Sequence, residues 1–131
     1  DLGKMFEDCY LHEDFVQAVE LAQAEHITLR DAEKKVMQMT HMETGAYLSE
    51  WWDLSPVVTD VIRWHHSPGM SVQEDQVVDV VHIANACVQQ FGIGLSGNFA
   101  RIHIEPRILN KVGMGSQDLL ELKAYLMQMG S

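Results

Sequence analysis

The sequence predicts an all-α fold: an irregular, orthogonal bundle of about seven helices, formed by residues 1–131 as a single domain. Three observations carry that expectation. Apolar residues recur at helical spacing nearly throughout, and no segment sustains a two-residue alternation. Several apolar stretches open on a residue that caps a helix. Helix lengths differ and no heptad repeat joins them, so the helices are expected to cross at an angle rather than coil.

The chain opens on DLGKMF, without an initiator methionine, inside what reads as a structural element. The expectation is an N-terminally trimmed fragment. HEDFVQAVELAQAEH (12–26) repeats apolar residues at Phe15, Val16, Val19, Leu21 and Ala22. Its Glu13 and Asp14 fall in the first turn, which the helix dipole favours. TLRDAEKKVMQM (28–39) starts on Thr28 with Asp31 three residues on, close to a capping box. THMETGAYLSEWW (40–52) carries the full T-x-x-E box, Thr40 with Glu43. SPVVTDVIRWHH (55–66) has Ser55 at the cap and Pro56 at the first helical position, where a missing N–H costs nothing. SVQEDQVVDVVHIANACVQQFG (71–92) pairs Ser71 with Glu74 and stops at Gly92. Its core stripe reads Val77, Val80, Val81, Ala84, Val88 and Phe91, beside a more polar row of Val78, His82, Asn85 and Gln89. EPRILNKVG (105–113) is a short helix, and SQDLLELKAYLMQMG (116–130) a final amphipathic one. The longest irregular piece is GIGLSGNFARIHIE (92–105), where ARIHIE could be a stray extended segment.

Nineteen acidic residues against nine basic ones leave a net charge of −10, which disfavours nucleic acid and anionic membrane surfaces. The longest basic cluster, Lys34-Lys35, is flanked by acidic residues. No apolar run approaches the roughly 20 residues that span a bilayer. Cys9 and Cys87 form no C-x-x-C pair and read as buried free thiols, as in a reducing cytosol. Adjacent Trp51 and Trp52 cannot share a helix face, so one is expected in the core, while an exposed pair would anchor an interface.

Of seven histidines, His12, His26 and His103 read as surface or capping residues, and His82 as a half-buried, hydrogen-bonded ring. His41 opens a helix, where the positive end of the dipole keeps imidazole neutral. Neutral imidazole is the metal-binding form. His65 and His66 close a helix, a position that suits a charged ring. Neighbours on a helix point about 100° apart, so both serve one site only if the helix end points into it.

Read together, DLGKMF, HMETGAYLSEWWDLSPVVTDVIRWHHSP, VVDVVHIANACVQQFGIG and ILNKVGM resemble the HDOD domain. This is the HD-related output domain of bacterial signalling proteins, a relative of the HD and HD-GYP phosphohydrolases. The specific part is H-x-x-x-G-A-x-L, then W-x-L-S/P, then I-x-x-H-H. The resemblance implies an HD-like bundle in which Asp1, His41, His65 and His66 match metal-ligand positions. Asn85, in IANA, stands where the relatives carry a further aspartate, and amide is a poorer ligand than carboxylate. The histidine of the His-Asp pair and the G-Y-P signature are absent from this sequence.

The resulting expectation is a non-catalytic, cytoplasmic signalling module with no cofactor. It would act through a protein partner or fused signalling domain, with homo-oligomerisation covering a bare apolar face. The alternative is a phosphohydrolase using a divalent metal (Fe, Mn, Zn, Mg or Ni) to activate water.

Overall fold

A computed structural model describes residues 1–71, 75–94, 100 and 103–130. Among these the chain is helical, with no strand: α1 (Leu2–Tyr10), α2 (His12–Glu25), α3 (Leu29–Met37), α4 (His41–Trp51), α5 (Pro56–Trp64), α6 (Asp75–Gln90), α7 (Pro106–Lys111) and α8 (Ser116–Met129). The described elements are eight rather than seven, because the opening segment is itself a helix. Part of the ARIHIE piece, Arg101 and Ile102, lies outside the described residues, as does Glu74 of the expected Ser71 box. α6 begins at Asp75. The Ser71 hydroxyl donates to the Asp60 carboxylate.

Three of the caps read from the sequence are formed. Thr28 Oγ1 accepts from Asp31 N, and Ser55 Oγ accepts from Val58 N. Thr40 and Glu43 make the reciprocal box that starts α4. That box fixes where α4 begins, and therefore where His41 sits.

α2 packs on α3 through the small residues Ala18, Ala22 and Ala32 with Leu29. α1 lies across α4, α5 follows α4, and α6 bridges α5 to α7. Ile83 and Cys87 of α6 close a second cluster with Ile108 and Leu109 of α7, covered by Leu119 and Leu122 of α8. On the same face of α6, buried Asp79 meets Lys111 Nζ of α7 at 2.7 Å.

Three expectations are corrected. The buried row of α6 is Val78, Asp79, Ile83, Ala86 and Cys87. Of the expected stripe, Val77, Val80, Ala84 and Val88 are exposed, while Val81 is half-buried and Phe91 packs on the second cluster, so the buried row is turned partly about the axis. With valines on both sides of the helix, periodicity alone does not select the face; the partner α7 does. Trp51 and Trp52 are both exposed, at 76% and 57%. α4 turns His41, Met42, Gly45, Leu48 and Ser49 inward, which leaves Tyr47 and Trp51 on the opposite row and Trp52 at the C-cap. Cys87 is a buried free thiol, but Cys9 is exposed on the outer side of α1.

The α1–α4 crossing is closer than side chains allow. A Cβ on Gly3 would sit 1.8 Å from the backbone oxygen of His41. A Cβ on Gly45 would meet Ile62 Cγ2 at 2.8 Å and Gly3 N at 3.0 Å. Gly45 is the glycine of H-x-x-x-G, and its missing side chain is what admits α1. A carbonyl in a helix cannot step aside as a side-chain tip can, so Gly3→Ala must push α1 off α4. Gly3→Ala is expected to lose at least about 1–3 kcal/mol in urea unfolding, with a smaller loss for Gly45→Ala. An unchanged urea midpoint in Gly3→Ala would show that the two helices do not meet in this way.

Candidate functional site

Three elements bring titratable groups together at one end of the bundle. Asp1 is the N-cap of α1, His41 the first residue of α4, and His65 the C-cap of α5, followed by His66. The chain turns directly after His65, with Ser67 N donating to Trp64 O, so the helix end points inward and both neighbouring rings reach one place. The His65 and His66 ring centroids are 4.2 Å apart, and those of His41 and His66 5.1 Å. One nitrogen from each of the three rings falls within a 4.8 Å group. Asp1 Oδ1 lies 3.7 Å from His65 Nε2 and 3.9 Å from His41 Nε2.

Hydrogen bonds set which nitrogen each ring offers. Carboxylates and carbonyls only accept, so a ring nitrogen facing one must carry the proton. His41 Nδ1 donates to Glu33, 2.6 Å from Oε2 and 2.8 Å from Oε1. The backbone N–H of His41, an orphan donor at the helix start, also goes to Glu33 Oε2 at 2.9 Å. His65 Nδ1 donates to the Val61 and Ile62 carbonyls, 3.0 Å from each. His41 and His65 are thereby held as tautomers with the Nε2 lone pair facing the cluster. His66 Nε2 donates to His41 Nε2 across 3.1 Å.

Burial holds all three rings neutral. Desolvation takes His41 from 6.5 down to about 3, assisted by the Lys4 charge. It takes His65 to about 4 and His66 to about 2, each assisted by a neighbouring ring. Glu33 and Glu7 are both fully buried. Desolvation raises Glu7 from 4.5 to about 8, and the Glu33 charge adds to it. Burial likewise raises Glu33 to about 7, opposed by its bond from the His41 backbone. Glu7 therefore holds a proton behind Glu33, while Thr44 Oγ1 donates to Glu7 Oε1 at 3.2 Å.

The sequence pattern passed over Glu7 and Glu33, yet it carries a signal for both. Leu29, Ala32, Glu33 and Val36 share one face of α3, and Gly3 and Glu7 one face of α1. An acidic residue on an otherwise apolar stripe is expected to face a partner, because a buried charge must be paired. His82 is half-buried, and its Nδ1 donates to His65 O at 2.8 Å, which ties α6 to the site.

The donor set fits one divalent cation. Two nitrogens each about 2.0–2.1 Å from a tetrahedral zinc lie about 3.4 Å apart, close to the His41–His66 separation. A buried carboxylate on the far nitrogen of a ligating ring is the arrangement that fixes such ligands in metal sites. His41, His65 and His66 would supply nitrogen and Asp1 an oxygen. The set does not fit two bridged ions. Asn85 lines a cavity of about 330 Å³ together with Asp1, His41 and His65, so the residue at the missing aspartate's position does lie beside them. It brings a neutral amide whose Oδ1 accepts from Gln89 Nε2 at 3.2 Å. Trp51 and Trp52 line neither of the cavities that hold these histidines.

A pH signature follows for the metal-free protein. Depressed imidazoles mean the unfolded chain binds more protons between the folded values of about 2 to 4 and the unfolded 6.5, so stability is lost as pH falls through that window. Raised Glu7 works oppositely: its contribution is complete below 4.5 and is lost as pH rises through about 8. The urea midpoint, measured in chelator, is expected to peak at about pH 6–7. Glu7→Gln should keep the acid limb and flatten the alkaline one. A midpoint that does not fall on acidification would contradict the buried, neutral cluster.

A family model of the HDOD domain matches residues 1–68, just over half of the 131 residues. The matched segment contains Asp1, Glu7, Glu33, His41, His65 and His66, whereas Asn85 lies beyond it. Comparison with curated proteins and with solved structures found no match. The helical fold, the matched segment and the histidine cluster at its end agree: the chain belongs to the HDOD domain family.

Proposed function

We propose that this domain is a non-catalytic signalling module of bacterial, cytoplasmic type that works through contacts with a protein partner or a fused signalling domain. The observation that carries the reading is the composition of the cavity around Asp1, His41 and His65, whose other polar side chain is the neutral Asn85. Hydrolysis by a two-metal centre needs carboxylates that bridge the ions and hold a nucleophilic water between them. One half-exposed carboxylate, Asp1, is too few for that role. No helix among the described residues is long and apolar enough to cross a membrane, which agrees with partners met in water.

Two exposed apolar surfaces support protein contact. Tyr47, Trp51 and Trp52 form an aromatic group at the end of α4. Aromatic side chains lose little conformational freedom on binding and dominate interface energetics. Val77, Val80, Ala84 and Val88 form an exposed row along α6, the kind of surface a second copy of the chain could cover. Homo-oligomerisation is part of this proposal.

A second reading, a metal-dependent phosphohydrolase, is favoured by one observation: His41 and His65 are locked as metal-ready tautomers. A bound ion there would supply Lewis-acid polarisation of a phosphate oxygen. Glu33 would orient His41, and Asp1 would lend the ion a carboxylate oxygen. Under the first reading such an ion is structural or regulatory.

Elemental analysis of protein purified without chelator, with phosphodiester assays in added Mn or Fe, separates the two. The module reading expects no turnover with or without metal; metal-dependent turnover that is lost in His41→Ala would replace it with the hydrolase. Asn85→Asp is expected to raise affinity for a divalent ion about 10–100-fold by adding a charged ligand, read by titration calorimetry. Unchanged affinity would mean that Asn85 does not face the ion.

A further inference from the structure

A second cavity, of about 310 Å³, opens on the other side of the His41–His66 pair, and its charge runs against that of the chain. The protein as a whole is at −10, yet this cavity is lined by two basic side chains, Lys4 and Arg30, by several imidazoles, and by a single carboxylate, Glu105. Glu105 is itself paired with Arg107 at 3.3 Å, and both are largely exposed. Lys4 shares its charge with Asp1 at 3.0 Å. Arg30 is held differently. Its Nη1 donates to His66 O at 3.5 Å and to Ser67 Oγ at 3.4 Å, both at the long limit of a hydrogen bond. Its contact with a carboxylate is Asp31 Oδ1, at 3.8 Å. A half-buried guanidinium carrying five donors and only long contacts is arranged to take an oxyanion in the fork.

His82 adds selectivity. It lines the same cavity, and its Nδ1 is engaged with His65 O at 2.8 Å. In the neutral ring the remaining nitrogen, Nε2, carries a lone pair and accepts. It therefore suits an oxyanion that keeps an O–H of its own.

We propose that this cavity binds a phosphate group that retains one proton, free or at the end of a small phosphomonoester, with Arg30 as its principal cation, Ser67 Oγ as a neutral donor and His82 Nε2 accepting the phosphate O–H. The site lies across α3, the turn after α5, and α6. It draws its charge from Arg30 rather than from a metal, so it is independent of the reading given under Proposed function. Sulfate matches phosphate in size and shape but has no O–H near neutral pH, and is the natural discriminator.

The test is titration calorimetry on the full chain, in chelator at neutral pH, with inorganic phosphate, a nucleoside monophosphate and sulfate in separate arms. Saturable phosphate binding with Kd at or below about 1 mM is expected, with sulfate at least several-fold weaker. Tighter binding of the nucleotide than of phosphate identifies a phosphomonoester as the ligand; the reverse order identifies the free ion. Arg30→Gln is expected to weaken phosphate binding at least tenfold. Because Arg30 also bonds the turn after α5, Ser67→Ala serves as a second variant that removes only a hydroxyl, with a several-fold loss. The proposal is overturned if phosphate does not bind, or binds only when divalent metal is added. Sulfate binding as tightly as phosphate, or unaltered affinity in both variants of intact fold, overturns it equally.

Discussion

The contact between Glu33 and His41 is the one on which the rest of the site depends. A fully buried carboxylate accepts the first N–H of α4 with one oxygen and the ring Nδ1 with both. It thus satisfies an orphan donor at a helix start, joins α3 to α4, and fixes the tautomer of the ring at the centre of the cluster. Burying that carboxylate is costly, and the chain meets the cost by making the group a member of a network. Glu7 lies behind it with a proton, Lys4 stands near it, and Thr44 holds Glu7. Half-satisfied networks of this kind destabilise a core, while satisfied ones select a single arrangement.

Much of the fold was legible because its signals are local. Thr28, Thr40 and Ser55 cap the helices they were expected to cap, since a side-chain oxygen three residues before a free N–H needs no tertiary context. The face of α6 was not legible. Valines occur on both sides of that helix, and the buried side was decided by α7, an element too short to announce its own position. The Trp51–Trp52 pair misled for a related reason: size suggests burial, but the small residues Gly45, Ala46 and Ser49 form the side of α4 that others pack against.

The site was legible in half. His41, His65, His66 and Asp1 were named from a pattern, and Asn85 lies beside them in the fold. What stands behind them was not named. Glu33 is eight residues from His41 and reaches it only because α3 and α4 meet at a tight turn. Nor does net charge foretell a local field. A chain at −10 still gathers Lys4 and Arg30 around one hollow, because position in three dimensions, not the sum, sets the potential there.

The glycine contact between α1 and α4 has a mechanical side. Backbone resting on backbone is stiff in compression, since repulsion rises steeply over tenths of an ångström, but it offers little resistance to shear. With no side chain at Gly3, α1 and α4 meet there through backbone alone, and the buried Thr44–Glu7 hydrogen bond is what ties the two helices side chain to side chain. Asp1 rides at the tip of that helix, facing the rings of His41 and His65. Any displacement of α1 against α4 would therefore change the distance between one carboxylate and two imidazoles.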